Sequence, residues 1–362
     1  MEGRAHAGQQ QLDLPDELSP RRLVRRALWV VALLVVIGLV AAFAPGLGEV
    51  RDRLRNADPA WLAVAVALEA LSGVSYVAMF RPVFCPTTSW RTAWEIGWSE
   101  LAVGSLVPAS GAGGLALGAW ILTHAGMPAR KVARRSVAFF LIKSSVNFVA
   151  VAVIGALMAL GIVGPHRSLL LTALPAALSV VTIGVVLLLP RIGHGPDAGE
   201  EDESRVRRAV REVRHAVVDG AHEAVAILRS GDVLAIAGAF GYWAFDNAVL
   251  WATYHAFDTS VPLTVILMGY LIGQLGGLLP IPGGIGGIDG GLIGTLIVYG
   301  APAAATTAAV LAYRVILFWL PLVVGSVAFA SLRKGLNQPD RPDLCHPVAT
   351  NIPTVSLPAR QA

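Results

Sequence analysis

The sequence is poor in charged residues and contains no recognisable nucleotide-binding loop. Charged residues make up 14% and hydrophobic residues 55% of its 362 residues, and the mean hydropathy is +0.64. Soluble domains carry about 25% charged residues, so this balance excludes that class and predicts an integral membrane protein. Neither G-x-G-x-x-G nor G-K-[ST] occurs in a suitable context, which excludes the common phosphate-binding loops. No cofactor or metal ion is expected.

Cysteine is also scarce, with only Cys85 and Cys345 in the chain. Both fall in segments that the topology below places in the cytoplasm, so free thiols are expected rather than a disulfide. The formal net charge is +4. Its basic residues lie in short loops beside apolar runs, a distribution that the positive-inside rule explains and that predicts no nucleic-acid partner.

Long apolar runs, by contrast, are abundant. A hydrocarbon core of about 30 Å requires roughly 20 apolar residues in a helix. Six full spans are predicted, at 27–44, 60–80, 136–164, 168–190, 232–257 and 303–332. Arginines 21, 22, 25 and 26 precede the first span, so both termini are expected in the cytoplasm of a multi-pass plasma-membrane protein. The polar ends, 1–24 and 336–362, are predicted to be disordered tails.

A glycine-proline pattern occurs twice between these spans, at the same spacing. The copies are Gly104-x3-Pro108-x2-Gly111-x2-Gly114-x3-Gly118 and Gly276-x3-Pro280-x2-Gly283-x2-Gly286-x3-Gly290, followed by the turns Gly126-Met127-Pro128 and Gly300-Ala301-Pro302. The positive-inside topology returns the chain to the same side after each copy, which predicts two re-entrant hairpins entering from opposite faces. The expected fold is all-α, with about six spans and two broken hairpins in an inverted-topology repeat.

The predicted membrane domain covers 25–335 and has three parts. These are a first repeat at about 60–190, an amphipathic cytoplasmic linker helix at about 201–229 and a second repeat at about 232–332. The linker carries an apolar stripe opposite many arginines. It is expected either to lie on anionic lipid or to connect the two repeats.

The hairpin loops are candidate binding elements. Irregular backbone at membrane depth persists only where protein or a water-filled cavity covers it, and a half-helix N-terminus offers N–H groups to an anion. The alternative is that the glycines serve tight packing alone. The loop residues are Pro108, Gly111, Gly113, Gly114, Pro280, Pro282, Gly283, Gly284, Gly286 and Gly287.

Ionisable residues inside the spans are the other candidates, because each costs roughly 2.5 kcal/mol or more on insertion scales. Arg314 and Lys143 follow equivalent turns of the two repeats and are expected to face one cavity that binds a headgroup. Their possible partners or neighbours are Asp289, Asp246, Glu100, Asn147 and Gln274. A static ion pair that joins helices is the alternative for Arg314. Glu69, Ser72 and Tyr76 share a helix face that either extends this polar path or packs against another polar helix.

The second copy carries a family resemblance. The run from Leu279 to Leu292, the turn Gly300-Ala301-Pro302, and Tyr313-Arg314 followed by Phe318-Trp319-Leu320-Pro321 closely resemble the lysylphosphatidylglycerol synthase transmembrane-region family. The resemblance covers roughly 25–335. It implies a polytopic helical domain that moves phospholipids or other lipid-linked anions between leaflets.

By this resemblance, Asp289 matches an acid in the family's second loop and Arg314 matches its Tyr-Arg arginine. Lys143 and Asn147 stand where an arginine and an acid are frequent in the family. Leu115 and Gly118 depart from the family, which commonly has an acid and an arginine just after the first glycines. These departures affect the expected substrate.

The expected function is translocation of an anionic or lipid-linked headgroup, with a phospholipid or polyprenyl-linked lipid as partner. The alternative is a non-catalytic membrane subunit that scaffolds a membrane or cytoplasmic partner enzyme or presents its lipid. No metal-ligand pair or Ser-His-Asp arrangement can be placed at one depth, so the chain is expected not to be an enzyme.

Overall fold

The computed structural model describes residues 20–43, 48–106, 112–192, 205–274 and 287–336, and this part of the chain is all-α. Its helices are α1 (Pro20–Phe43), α2 (Gly48–Arg55), α3 (Pro59–Phe84), α4 (Trp90–Leu106), α5 (Ala112–His124), α6 (Ala129–Ala159), α7 (Leu169–Ile192), α8 (Arg205–Ser230), α9 (Val233–Ala256), α10 (Leu263–Gln274), α11 (Gly287–Val298) and α12 (Ala303–Leu336). The predicted all-α membrane fold is confirmed.

Five of these helices are long and apolar enough to cross a membrane: α3, α6, α7, α9 and α12. They coincide with five of the six predicted spans, and the first predicted span overlaps α1. Helix α6 begins earlier than predicted and ends at Ala159 rather than 164. It ends there because Gly161 adopts a positive φ of 70° and closes a C-terminal turn, in which Ile162 donates to the Leu157 carbonyl.

Two pairs of short helices occupy the positions of the predicted hairpins. Helices α4 and α5 have 17 and 13 residues, and α10 and α11 have 12 each. All are shorter than the roughly 20 residues that a span needs. In the second pair the helices run antiparallel at close range, since a Cβ on Gly273 would lie 2.7 Å from the Leu292 Cα.

The predicted loops lie largely in 107–111 and 275–286, outside the described residues, and so do Pro108, Gly111, Pro280, Pro282, Gly283, Gly284 and Gly286. Three predicted loop glycines are instead helical. Gly113 and Gly114 belong to the first turn of α5, and Gly287 begins α11. Gly114 serves close packing, because a Cβ there would overlap the backbone carbonyl of Glu100.

The two glycine-x-proline sequences form the same turn. Gly126 and Gly300 both have φ of 89°. After α5, Met127 donates to the Leu122 carbonyl at 3.0 Å, and after α11, Ala301 donates to the Leu296 carbonyl at 2.9 Å. These bonds satisfy carbonyls at the helix ends, and the following proline precedes the next long helix. The repeated sequence therefore produces a repeated local structure.

Apolar side chains form two large cores, one at each end of the long helices. The first core is built around Phe80, Phe84, Trp98, Phe139 and Leu332. The second core is built around Leu250, Tyr254, Met268, Tyr299 and Val310. Helices α3, α6, α9 and α12 contribute to both, so the middle of each long helix lies between the cores.

Helix α8 lies where the linker helix is predicted, and it packs against α6. Glu223 pairs with Arg134 at 2.6 Å and with Arg135 at 3.0 Å. Ala221 and Ala224 of the predicted apolar stripe are buried, whereas Val213 remains 63% exposed. The linker is therefore attached to the membrane helices along its C-terminal half.

Two basic residues that the predicted topology leaves outside bind helix-end carbonyls. Arg53 donates to the Phe257 carbonyl at 3.2 Å, and Arg167 donates to the Tyr299 carbonyl at 2.6 Å. Cations favour helix C-termini because the carbonyls there carry partial negative charge. Capping thus gives these two arginines a local role, independent of the positive-inside rule.

The expectation of free thiols is wrong for Cys85, which is disulfide-bonded in the structure. Cys345 lies outside the described residues. The expectation rested on a cytoplasmic placement of both cysteines, and compartment alone does not decide whether a thiol stays free.

Candidate functional site

Polar and charged side chains lie where the two cores meet, away from the ends of the long helices. We call this group the central polar cluster; its members are Glu69, Ser72 and Tyr76 of α3, Glu100 of α4, Lys143 of α6, Tyr242 and Asp246 of α9, Tyr270 of α10, Asp289 of α11, and Tyr313 and Arg314 of α12. Seven helices contribute, and they include members of both short-helix pairs. Buried charges are expensive, so such a concentration in one place needs compensation within the cluster.

The packing of α3 against α9 sets the position of the first acidic residues. The two helices run antiparallel, with Gly238 against Met79 and Gly241 against Ser75. One turn further, the Ser72 hydroxyl donates to the Tyr242 carbonyl at 3.2 Å. This register brings Glu69 level with Asp246, and the two carboxylates repel each other electrostatically.

Asp246 accepts hydrogen bonds from two tyrosines of the second repeat region. Tyr313 donates to its Oδ1 at 2.9 Å, and Tyr270 donates to its Oδ2. The residue is 6% exposed. Both oxygens of this buried carboxylate are therefore held by donors from α10 and α12.

Glu100 occupies an equivalent place in the first hairpin. Tyr76 donates to its Oε2 at 2.8 Å, and Glu100 is 1% exposed. Its carboxylate lies against Gly118 of α5, where a Cβ would overlap it. The glycine that departs from the family pattern thus provides the space for this acid.

Lys143 lies between the two carboxylates. Its Nζ is 5.9 Å from the ring centroid of Tyr76 and 5.5 Å from that of Tyr242. It is attracted by both Glu100 and Asp246. Aromatic faces add to this attraction within about 6 Å. The lysine therefore links the carboxylate of the first hairpin with that of α9.

Arg314 forms an ion pair with Asp289, with Nε 2.9 Å from Oδ1. Both side chains are mostly buried, at 15% and 13% exposure. Asp289 lies in the first turn of α11, where the helix dipole favours a negative charge. Of the acidic partners considered for Arg314, Asp289 is the one in direct contact, and Asp246 attracts it as well.

The remaining predicted site residues lie less centrally. Asn147 is one turn beyond Lys143, and its buried Oδ1 has no hydrogen-bond partner among the described residues. Gln274 ends α10, and its side chain is outside the described set. The structure thus brings together Lys143, Glu100, Asp246, Asp289 and Arg314.

Tyr242, Tyr270 and Tyr313 are the residues that the sequence analysis did not assign to the site. Four of the chain's 6 tyrosines belong to the central polar cluster. A signal was present, because Tyr76 to Glu100 and Asp246 to Tyr270 both span 24 residues. Equal spacing of a tyrosine and a carboxylate in two related segments indicates paired contacts.

Sequence comparison with known proteins identifies membrane-protein relatives. A UPF0104 membrane protein of Methanothermobacter thermautotrophicus is 27% identical over 326 residues, which cover 82% of this chain and 94% of the relative. A second UPF0104 membrane protein of that organism is 26% identical over 323 residues, covering 82% and 90%. The family model for the lysylphosphatidylglycerol synthase TM region matches residues 29–325. The chain therefore belongs to the lysylphosphatidylglycerol synthase transmembrane-region family.

Proposed function

We propose that this membrane protein is a lipid translocase, which moves a phosphate-bearing headgroup between leaflets through the central polar cluster while the acyl chains stay in the bilayer. The observation that carries the proposal is the position of the cluster, where two apolar cores meet and away from the ends of four long helices. Intramembrane charges at such a place are characteristic of substrate pathways. The chain itself performs no covalent chemistry in this proposal.

Arg314 and Lys143 are the proposed phosphate ligands. A guanidinium can bind two phosphate oxygens at once, whereas an ammonium acts as a point charge. Because Arg314 is paired with Asp289, the headgroup must displace or share that carboxylate. The static ion pair is therefore one state of the site, and headgroup binding is the other.

An inverted repeat would provide alternating access, by rocking the two halves around the cluster. Three features support this part of the proposal: two pairs of short helices, identical turns at Gly126 and Gly300, and tyrosine-carboxylate contacts spanning 24 residues in each half. With both termini in the cytoplasm of a plasma membrane, the first pair would enter from the cytoplasmic side.

The test is fluorescent-lipid translocation in proteoliposomes containing the purified full-length protein. Phosphatidylglycerol, a cationic aminoacyl lipid and a polyprenyl phosphate are compared for the wild type, Arg314→Ala and Arg314→Lys. Arg229→Ala, at an exposed arginine of α8, is the matched control. We expect Arg314→Ala to lose lipid translocation, Arg314→Lys to retain part of it, and the control to translocate normally. Absence of movement with all three lipids in well-folded protein would contradict the proposal.

The surface of α8 favours a second candidate function, in which the protein presents a lipid to a partner enzyme. Val213 is 63% exposed on an arginine-rich helix, a position suited to docking. In that case purified protein moves no lipid, whereas Val213→Glu abolishes formation of the partner's lipid product in cells. Normal translocation by Val213→Glu in liposomes supports the translocase.

A further inference from the structure

The charges of the central polar cluster do not balance. Its ionisable acids and bases are four carboxylates, Glu69, Glu100, Asp246 and Asp289, and two cations, Lys143 and Arg314. With every acid ionised, the excess would be two negative charges. Removing unpaired charges from water costs several kcal/mol each, so a buried excess of this size calls for bound positive charge. An incoming phosphate would increase the imbalance.

Glu69 is the acid with the weakest compensation. It is 7% exposed, and its buried Oε2 has no hydrogen-bond partner among the residues described. The other three acids have donors or cations: Glu100 has Tyr76, Asp246 has two tyrosines, and Asp289 has Arg314.

Among the described residues, no cation forms an ion pair with Glu69. The groups that interact with it electrostatically come from the packed helices: Asp246 and Tyr242 from α9 and Tyr313 from α12. Farther along the cluster, Lys143 of α6 is attracted to Glu100 and Asp246, and Arg314 of α12 to Asp289 and Asp246. Tyr270 of α10 donates to Asp246. Glu69 therefore faces a like charge and neutral hydroxyls.

We infer that Glu69 carries an exchangeable proton and is the coupling site of the protein. A proton neutralises the carboxylate, removes its repulsion with Asp246 and needs no coordination shell. The proton on Glu69 is inferred independently of the proposed function, and only its coupling to headgroup movement rests on that function. If a phosphate headgroup binds Lys143 or Arg314, it adds negative charge to a cluster that already has an excess, and a proton on Glu69 offsets part of that charge, so headgroup and proton would travel in the same direction.

Infrared spectroscopy tests the site without any lipid movement. A protonated carboxylic acid has a carbonyl stretch that is separate from the carboxylate bands and shifts in D₂O. Purified full-length protein is measured at pH 7, as wild type, Glu69→Gln and Glu49→Gln. Glu49, whose side chain is 69% exposed, is the matched control. The wild type and the control are expected to show a D₂O-sensitive carboxylic acid band, and Glu69→Gln is expected to lose one residue's intensity.

Two results overturn the inference. One is the absence of a carboxylic acid band at pH 7 in the wild type, which needs no variant to fold. The other is full intensity of the band in Glu69→Gln. Replacing Na⁺ by K⁺ should leave the band unchanged, and suppression of the band by Na⁺ would assign the site to an alkali cation instead. Because no transport is measured, these results are independent of whether the protein translocates lipid.

A second measurement tests coupling in proteoliposomes that translocate. Binding of one proton changes the population of the competent state up to tenfold per pH unit. Wild-type translocation should therefore slow by as much as tenfold for each unit of rising pH, and Glu69→Gln should lose this dependence. Identical pH profiles for the two proteins would refute coupling through Glu69, whereas absence of translocation in both would refute the proposed function instead.

Discussion

Each half of the central polar cluster contains a tyrosine that donates to a carboxylate, but the helices that carry the donor and the acceptor are exchanged between the halves. In the first half, Tyr76 on a long helix donates to Glu100 on a short one; in the second, Tyr270 on a short helix donates to Asp246 on a long one. The sequence separation is 24 residues in both cases. The sequence separation of the two partners is therefore shared, whereas the carboxylate lies on a short helix in one half and on a long helix in the other.

The cations differ in a related way. Arg314 is in direct contact with Asp289 of its own half, whereas Lys143 is attracted to Glu100 of the first half and Asp246 of the second. One cation thus closes a local ion pair, and the other connects the halves. In the proposed mechanism both cations bind the phosphate, and Lys143 in addition connects the two halves.

Breaking the local pair should have the largest effect on stability. Arg314→Ala removes the cation paired with the mostly buried Asp289, which costs about 3 kcal/mol or more. Lys143→Ala should cost less, because Glu100 and Asp246 keep their tyrosine donors. The free energy of unfolding in detergent micelles measures both. The double variant Arg314→Ala/Asp289→Ala should recover much of the loss, and equal losses in the single and double variants would contradict a pairwise origin.

Alanine substitutions of glycines at matching positions of the repeated pattern should have the next largest effect on stability. Gly118→Ala forces the Glu100 carboxylate to move and disturbs its bond with Tyr76, for an expected loss of about 2 kcal/mol. Gly290 has no atom within 4 Å of an added Cβ. Gly290→Ala is therefore the matched control, and it should stabilise α11 by up to about 1 kcal/mol. Similar losses of unfolding free energy in both variants would show that the close contact between Gly118 and the Glu100 carboxylate is not the cause.

Removing tyrosine hydroxyls should lower the free energy of unfolding by different amounts in the two halves, and this difference should be smaller than the previous one. Tyr76→Phe leaves Glu100 without its tyrosine donor and should cost about 1–3 kcal/mol. Tyr313→Phe should cost less, because Asp246 keeps Tyr270. Unfolding free energies of the two variants check this order. A larger loss in Tyr313→Phe would show that Asp246, rather than Glu100, depends more on a single tyrosine donor.

The sequence predicted the features that depend on local chemistry. Lipid-facing helices must be apolar, so five spans followed from hydropathy, and glycine before proline marked the two turns. The Asp289 partner of Arg314 was among the candidates because both residues flank the second glycine pattern. These inferences need only the composition and spacing of short segments.

Contacts between helices were harder to predict, because the long helices are apolar on most faces and hydropathy does not fix their rotation. Glu69 and its helix face were noticed, but the identity of the opposing residue depends on the register of α3 against α9, set by Gly238 and Gly241. The tyrosine donors to Asp246 come from two other helices. Such contacts follow from packing at several interfaces at once.

Alanine substitutions in the two repeated turns should show the smallest difference in stability between the halves. Alanine at Gly126 or Gly300 must adopt a left-handed conformation, which costs about 1–2 kcal/mol. An added Cβ at Gly126 meets no atom within 4 Å, whereas at Gly300 it would overlap the Arg167 guanidinium and disturb its bond to Tyr299. Gly300→Ala should therefore destabilise the protein more than Gly126→Ala, by about 1 kcal/mol. In an Arg167→Ala background the two glycine variants should become equal, and persistence of the difference would place its cause outside this cap.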